Sequence, residues 1–218
     1  MTLKDALTSK MMTPARIGVI IGSQRNPRAG PQIATWVLNV LREYQNSHST
    51  TDRRPYDLSL VDLNDHHLPL YDEPGIPSQI KTPDGYAHEH TKAWSRCISS
   101  FDGFVFVTPQ YNWGYPAGLK NAIDYLYNEW KGKPGIVVSY GGHGGGKAAV
   151  QLQGVLGGLR ISVVPKAPAL TFPDHDFLVR ASKGEDLGLA GEGGKQIWVK
   201  EQEDIGLAWA QFLDLLNA

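Results

Sequence analysis

The sequence has little cysteine, little net charge and no long apolar run, and each shortage excludes a class of protein. Cys97 is the single cysteine in 218 residues, so neither an internal disulfide nor a cysteine-rich metal site can form. A formal net charge of −1 argues against a nucleic-acid partner, whose phosphates require a basic excess, and against a strongly charged electron carrier. No apolar stretch approaches about 20 residues, so we expect no membrane span. We therefore predict a cytoplasmic protein.

Several catalytic motifs are also missing. There is no G-x-S-x-G run, so a serine hydrolase lacks its nucleophile signal. The first glycine-bearing turn, residues 22–30, lacks two glycines of the dinucleotide fingerprint G-x-G-x-x-G. Residues 141–147 nearly form a P-loop, but Ala148 stands where a hydroxyl residue would hold magnesium. The histidines at 66–67, 88–90 and 175 do not have the spacing of a metal site, so we predict no metal ligand.

Apolar strands alternate with amphipathic helices along the chain, which is typical of an α/β fold. We expect strands at residues 17–21, 56–63, 102–107, 135–139 and 159–164. We expect helices at residues 31–41, 86–100, 116–126, 146–156 and 205–216. Because the strands are almost fully apolar, the prediction is a three-layer doubly wound fold. Its five-stranded parallel sheet would have the flavodoxin-like strand order 2-1-3-4-5.

The same reading makes residues 1–218 a single domain. Residues 1–15 are expected to be a poorly ordered N-terminal extension. The charged, glycine-rich and aperiodic residues 174–195 are consistent with either an ordered loop or lid, or a mobile linker.

In such a sheet, ligands bind beyond the carboxyl ends of the strands. The loop after the first strand combines small residues with cations, at Ser23, Arg25 and Arg28. Backbone N–H groups at a helix N-terminus and the planar forks of two arginines suit the oxygens of a phosphate. The alternative interpretation is an ordinary strand-to-helix turn with solvated arginines.

Two further loops favour a flat ligand. The loop after the third strand is rich in rings and amides, with candidate contacts at Pro109, Gln110, Tyr111, Asn112 and Trp113. A planar heteroaromatic ligand needs such faces for stacking and such polar edges for recognition. A buried aromatic plug is less favoured, because its amides would be costly to bury unpaired. The loop after the fourth strand can bring backbone N–H groups to the ring edge, with candidates Ser139, Gly141, Gly142 and His143.

Taken together, these loops resemble the NADPH-dependent FMN reductase family, a flavodoxin-like group that includes azoreductases, chromate reductases and quinone reductases. The matching strings are G-S-Q-R from Gly22, P-Q-Y-N from Pro109 and Y-P-A-G-L-K-N-A-I-D from Tyr115. The string L-P-L-Y-D-E from Leu68 is similar to the family's loop after its second strand. The resemblance covers roughly residues 16–165. The first loop departs from the family pattern, which commonly has serine at position 28 and asparagine at position 30.

The resemblance implies that FMN binds with its phosphate at Ser23, Arg25 and the first helix N-terminus. Its ring would lie along residues 109–113, and residues 139–143 would close the far edge. NADPH or NADH would pass a hydride to the flavin in a ping-pong reaction. The small-molecule acceptor would be a quinone, a free flavin, an azo dye or a metal oxyanion. No side chain is required as an acid or base, so we assign no catalytic residue.

The resemblance also implies a homodimer, with a tetramer as the alternative. The aromatic side chains Trp113, Tyr125, Tyr127 and Trp130 would serve either a subunit interface or core packing. The alternative function is a flavin-holding redox sensor or electron shuttle whose redox state controls a protein partner. Choosing between NADH and NADPH requires a 2′-phosphate site, for which Lys131, Lys133 and Arg180 are candidates, or else solvated charges.

Overall fold

A computed structural model of the chain describes residues 13–47 and 54–218. The strands are β1 (Ala15–Ile21), β2 (Tyr56–Asp62), β3 (Gly103–Pro109), β4 (Pro134–Gly141), β5 (Ser162–Val163) and β6 (Ala169–Thr171). The α-helices are α1 (Gly30–Ser47), α2 (Glu89–Ser99), α3 (Ala117–Asp124), α4 (Gly146–Gly158), α5 (His175–Lys183), α6 (Gly191–Gln196) and α7 (Val199–Leu216). Residues 1–12 of the predicted extension lie outside the described residues, and Ala15, its last residue, already belongs to β1.

The sheet is parallel and has the order β2-β1-β3-β4-β5, which confirms the predicted fold class and strand order. The register aligns the carboxyl ends of the central strands. Ile21 of β1 lies opposite both Asp62 and Val107, and Val107 lies opposite Val138 of β4. The loops that follow β1, β3 and β4 therefore emerge side by side.

The edge strand beside β4 differs from the prediction of one strand at residues 159–164. It is split into β5, which pairs with the start of β4, and β6, which pairs with its end. The two pieces are separated by residues 164–168, which include Pro165 and Pro168. Proline has no N–H to contribute to a ladder, so the strand is interrupted there. The freed carbonyls of Val164 and Pro165 both accept hydrogen bonds from Gln153 Nε2, at 3.1 Å each.

Two apolar cores flank the sheet, one on each face. On one face, α1, α5 and α7 cover the side chains of Val19, Val105 and Val138. On the other face, α2, α3 and α4 cover Phe104, Phe106 and Val137. Tyr125 and Trp130 are fully buried in the second core, so core packing, and not a subunit interface, explains these two rings. Among the described residues, no helix is both long and apolar enough to cross a membrane.

Gly103 lies where β3 passes directly beneath α7. A Cβ at this position would lie 2.6 Å from Phe212 Cζ, closer than non-bonded carbons approach. We expect Gly103→Ala to lower the free energy of unfolding by about 1–3 kcal/mol, because a packed layer must shift. Gly154→Ala is the matched control: open space surrounds Gly154 on α4, and alanine favours a helix. Urea unfolding measures both variants, and equal stabilities would contradict a tight contact at Gly103.

Candidate functional site

The loops after β1, β3 and β4 enclose a cavity of about 350 Å³ at the carboxyl edge of the sheet. Eight of the twelve predicted site residues line it: Arg25, Arg28, Pro109, Gln110, Tyr111, Asn112, Gly141 and Gly142. The other four do not line the cavity: Ser23, Trp113 and His143 belong to the same three loops, and Ser139 lies within β4. The topology thus brings together the segments that were singled out in the sequence.

Ser23 lies below the cavity, where β1 gives way to α1. Its side chain is buried, and its hydroxyl oxygen makes no hydrogen bond of good geometry with the described residues, although the Tyr140 hydroxyl lies close to it. A Cβ on Gly30 would lie 2.0 Å from that oxygen, so a side chain at position 30 would require the Ser23 hydroxyl to rotate away. The first turn of α1 contains no acidic residue that would offset the positive end of the helix. This end of the helix therefore suits an anion.

Arg28 is held by partners within the chain. Its guanidinium donates to both carboxylate oxygens of Asp62, at 2.8 and 2.6 Å, and to the Ser23 carbonyl at 2.6 Å. Burial alone would raise the pKa of Asp62, but hydrogen bonds from Arg28 and the Asn64 N–H hold that pKa below its ordinary value. The pair joins the end of β2 to the loop after β1. A direct contact between Arg28 and a phosphate stays a prediction.

Arg25 is exposed and stacks on the wall of the cavity. Its guanidinium carbon lies 4.0 Å from the centroid of the Tyr111 ring, a cation–π contact. Burial raises the pKa of the Tyr111 hydroxyl, and Arg25 opposes that shift, so the ring stays neutral near pH 7. Among the described residues, no carboxylate pairs with Arg25. Its charge is therefore available to a ligand.

The loop after β3 forms a tight turn. Tyr111 and Gly114 exchange two backbone hydrogen bonds, of 2.8 and 3.0 Å. The two residues between them, Asn112 (φ 47°) and Trp113 (φ 71°), are both left-handed, and the Trp113 side chain is 59% exposed. Gln110 ties the turn to α4, because its Oε1 accepts from the Ala148 N–H at 3.3 Å. The Trp113 ring lies at the rim of the cavity, and its contact with a cofactor stays a prediction.

The loop after β4 is closed from below. The Ser139 hydroxyl is fully buried and donates to the Gly144 carbonyl at 2.8 Å, so it supports the loop. The φ angles of Gly144 and Gly145 are 73° and 80°, which favour glycine. Main chain at Gly141 and Gly142 forms this wall of the cavity, and the His143 side chain is exposed beyond it. Cofactor contacts by Ser139 and His143 stay predictions.

One wall of the cavity was missed by motif reasoning. Phe172 follows β6, and Leu178, Ala181 and Ser182 come from α5, within residues 174–195, for which the sequence allows either an ordered loop or a linker. That segment contains α5 and α6, so it is not a linker without structure. A capping signal was present in the sequence. Asp174 caps α5 by accepting from the Phe177 N–H at 2.7 Å, and Gly184 ends the helix in a left-handed conformation.

Several of the other histidines and the cysteine have surroundings that indicate a structural role. In the part of the chain that is described, no group of three or more histidine, cysteine, aspartate or glutamate residues could hold a metal ion. His66 packs against Trp94, with ring centroids 4.6 Å apart, and His90 hydrogen-bonds to Asp72. Burial raises the pKa of the Cys97 thiol, which keeps it protonated and disfavours a role as nucleophile.

The fold and the edge cavity define a flavodoxin-like protein. The chain superposes on a flavoenzyme NAD(P)H:acceptor oxidoreductase of Paracoccus denitrificans with a TM-score of 0.61 and 20% identity, covering 93% of this chain and 97% of the other. The family model for NADPH-dependent FMN reductases matches residues 15–173. The chain therefore belongs to the NADPH-dependent FMN reductase family, which confirms the resemblance drawn from its motifs. It is an oxidoreductase that uses FMN and NAD(P)H.

Its relatives agree with this assignment. The chain is 52% identical over 173 residues to an NAD(P)H-dependent FMN reductase of Schizosaccharomyces pombe, covering 79% of this chain and 80% of the relative. It is 51% identical over 170 residues to one of Saccharomyces cerevisiae, covering 75% and 87%. A 2-hydroxy-1,4-benzoquinone reductase of a Burkholderia species is 30% identical over 147 residues, covering 64% and 69%.

The contact between Arg28 and Asp62 predicts an acid-sensitive contribution to stability. Because the folded-state pKa of Asp62 is lowered, this contribution is complete above the ordinary value of 3.8 and is lost as the pH falls through the folded-state pKa. Asp62→Asn should therefore cost about 1 kcal/mol at pH 7, and the difference from wild type should begin to shrink as the pH falls below 3.8. Urea midpoints measured from pH 7 to pH 3 test this. Asp57→Asn, an exposed change on the same strand, is the control, and an equal effect there would contradict the assignment.

Proposed function

We propose that the protein reduces a small electron acceptor at the expense of NAD(P)H, with FMN bound in the edge cavity. The acceptors we propose are a quinone, a free flavin, an azo dye or a metal oxyanion, and the quinone is supported by the Burkholderia relative. The observation that carries the proposal is one cavity in which an uncompensated helix N-terminus and an unpaired arginine meet an aromatic turn and a glycine wall. A phosphorylated planar ring needs this combination.

The residues present fit FMN. The unpartnered Ser23 hydroxyl, the start of α1 and the Arg25 guanidinium supply donors and positive charge for a phosphate. The rigid turn from Tyr111 to Gly114 and the main chain at Gly141 and Gly142 would border the ring. Arg28 would act indirectly, since it holds the Ser23 carbonyl in place.

When bound, FMN supplies the two-electron chemistry that links NAD(P)H to the acceptor. The chain's own part is to orient the ligands and to limit access. A cavity of about 350 Å³ is too small to hold a cofactor together with both substrates, so we propose that donor and acceptor use the same position in turn. Main chain, and not a side-chain acid, forms the wall at Gly141 and Gly142. No acid or base is therefore assigned.

We also propose a homodimer, or a tetramer built from it, located in the cytoplasm. The dimer is supported by large apolar side chains that are exposed at the surface, among them Leu70 at 87%, Ile76 at 60% and Trp113 at 59% exposure. The compartment is supported by the single cysteine, whose thiol is half-buried and unpaired by any disulfide.

The reaction is tested by adding NADPH to the FMN-loaded protein under nitrogen and recording its absorbance. We expect the flavin bands to bleach within seconds and to recover when a quinone is added. Initial rates at several fixed quinone concentrations should give parallel double-reciprocal lines, because the two substrates react in separate half-reactions. Intersecting lines would contradict alternation at one position. A bound flavin that NADPH does not bleach would instead favour the redox-sensing or shuttle function, with a protein partner.

The phosphate site is tested by Arg25→Ala. Loss of an unpaired charge that faces the ligand should raise the FMN dissociation constant about tenfold or more, while the urea midpoint stays unchanged. Quenching of FMN fluorescence on binding gives the constant. Arg42→Ala is the matched control, because Arg42 is also exposed but lies near the far end of α1. Unchanged FMN affinity in the Arg25 variant would remove this phosphate site.

A further inference from the structure

Lys147 is a second cation at the site without an acidic partner. Among the described residues it forms no ion pair, whereas Arg28 is paired with Asp62 and Arg180 with Asp176. Arg25 is likewise without an acidic partner among the described residues, and the proposed function assigns its charge to the FMN phosphate. The FMN phosphate therefore does not account for the charge of Lys147.

The side chain of Lys147 is held in a defined place. Its Nζ lies 4.0 Å from the centroid of the Trp113 ring, over the exposed indole at the rim of the cavity. The Trp113 carbonyl accepts from Gln151 Nε2 at 3.1 Å, so α4 holds both the main chain and the ring of this turn. An exposed flat ring and an ammonium group are thus fixed side by side, next to the cavity residues Tyr111 and Asn112.

The position of Lys147 is unfavourable for the helix that carries it. It is the second residue of α4, where the positive end of the helix repels a cation. The first turn of α4 contains no acidic residue, and Gly145 before it supplies no side-chain cap. The charge therefore does not serve helix stability, but it adds to a positive field that an anionic ligand would relieve.

We propose that Lys147 binds a phosphate group of the nicotinamide dinucleotide, with the Trp113 ring as a stacking surface beside it. The inference rests on the proposed function, because it assigns the electron donor a place at the same cavity. Dinucleotides carry a pyrophosphate and, in NADPH, a 2′-phosphate, whereas quinones carry neither. Lys147 would therefore favour the donor and leave a quinone acceptor unaffected.

Lys131, Lys133 and Arg180, the candidates that the sequence offers for a 2′-phosphate site, are less suitable than Lys147 for binding a phosphate of the dinucleotide. Lys131 and Lys133 both lie just before the start of β4, at the opposite edge of the sheet from the cavity. Lys133 donates to the Ile98 carbonyl at 2.9 Å, and burial lowers its pKa to about 8. Arg180 donates to Asp176 and to the Asp186 carbonyl, at 3.0 Å each.

The test compares wild type with Lys147→Met and Lys147→Arg, all loaded with FMN. Flavin reduction is followed after rapid mixing with NADPH, NADH or 1-benzyl-1,4-dihydronicotinamide, a neutral donor without phosphates. We expect Lys147→Met to raise the half-saturating NADPH concentration about tenfold, as loss of one charged hydrogen bond would. Lys147→Arg should keep the half-saturating NADPH concentration close to that of wild type. The neutral donor should react with all three proteins at the same rate. A parallel change for NADH indicates the pyrophosphate, and a change for NADPH alone indicates the 2′-phosphate.

Binding is measured separately from turnover. NADP⁺ titrated into the oxidised protein, followed by tryptophan fluorescence, should give a dissociation constant about tenfold higher for Lys147→Met. Lys131→Met removes the same charge from the far edge and should change nothing. Equal losses with the neutral donor would mean that Lys147 only supports Trp113, and no loss with any donor would exclude the contact. Either result overturns this inference while NADPH still reduces wild type. A wild-type protein that no donor reduces would overturn the proposed function itself.

Discussion

The site depends on a sheet that is buried on both faces. All residues of β3 and nearly all of β1 and β4 are buried, and their N–H and C=O groups are used by neighbouring strands. Helices cover both faces, so polar chemistry cannot reach the middle of the sheet without an unpaired group. The carboxyl edge is where the chain leaves the sheet. Parallel register brings the ends of β1, β3 and β4 to the same level, and the cavity lies where these ends meet.

At that edge, charge is divided between structure and recognition. Asp62 ends the outer strand β2 and holds Arg28, which in turn holds the main chain at Ser23. One arginine of the first loop is thereby used to shape it, and the other remains free above Tyr111. An ion pair that is largely withdrawn from water costs desolvation, but its three hydrogen bonds satisfy most of the guanidinium donors. The result is a fixed loop whose remaining positive charge faces the cavity.

Much of this arrangement could be predicted from the sequence, because the signals were local. Composition alone marks the apolar runs of β1, β3 and β4 and the ring-rich loop after β3. The parallel topology then predicts that these segments lie together. The split of the edge strand at Pro165 and Pro168 could not be predicted in this way, because it depends on how that strand pairs with β4. The partnership of Arg28 with Asp62 joins residues 34 positions apart, so no local pattern contains it. For the cavity wall formed by α5, the sequence contains only the signals of a helix, a capping residue at Asp174 and a glycine at position 184. Neither signal indicates that the helix lies against the cavity.

The turn after β3 shows why a strained conformation persists at this edge. Left-handed backbone at Asn112 and Trp113 costs about 1–3 kcal/mol at each residue, and glycine would avoid that cost. Glycine would also remove the amide and the indole, the two groups that are predicted to contact a planar ligand. The strain is maintained by the paired hydrogen bonds between Tyr111 and Gly114 and by Gln151 on α4. Because α4 also carries Lys147 and begins at the glycine loop, the turn and the glycine wall are fixed to one rigid element. A ligand between them therefore binds to surfaces that are already ordered in the folded protein, so little conformational entropy is lost on binding. This favours binding in a defined orientation.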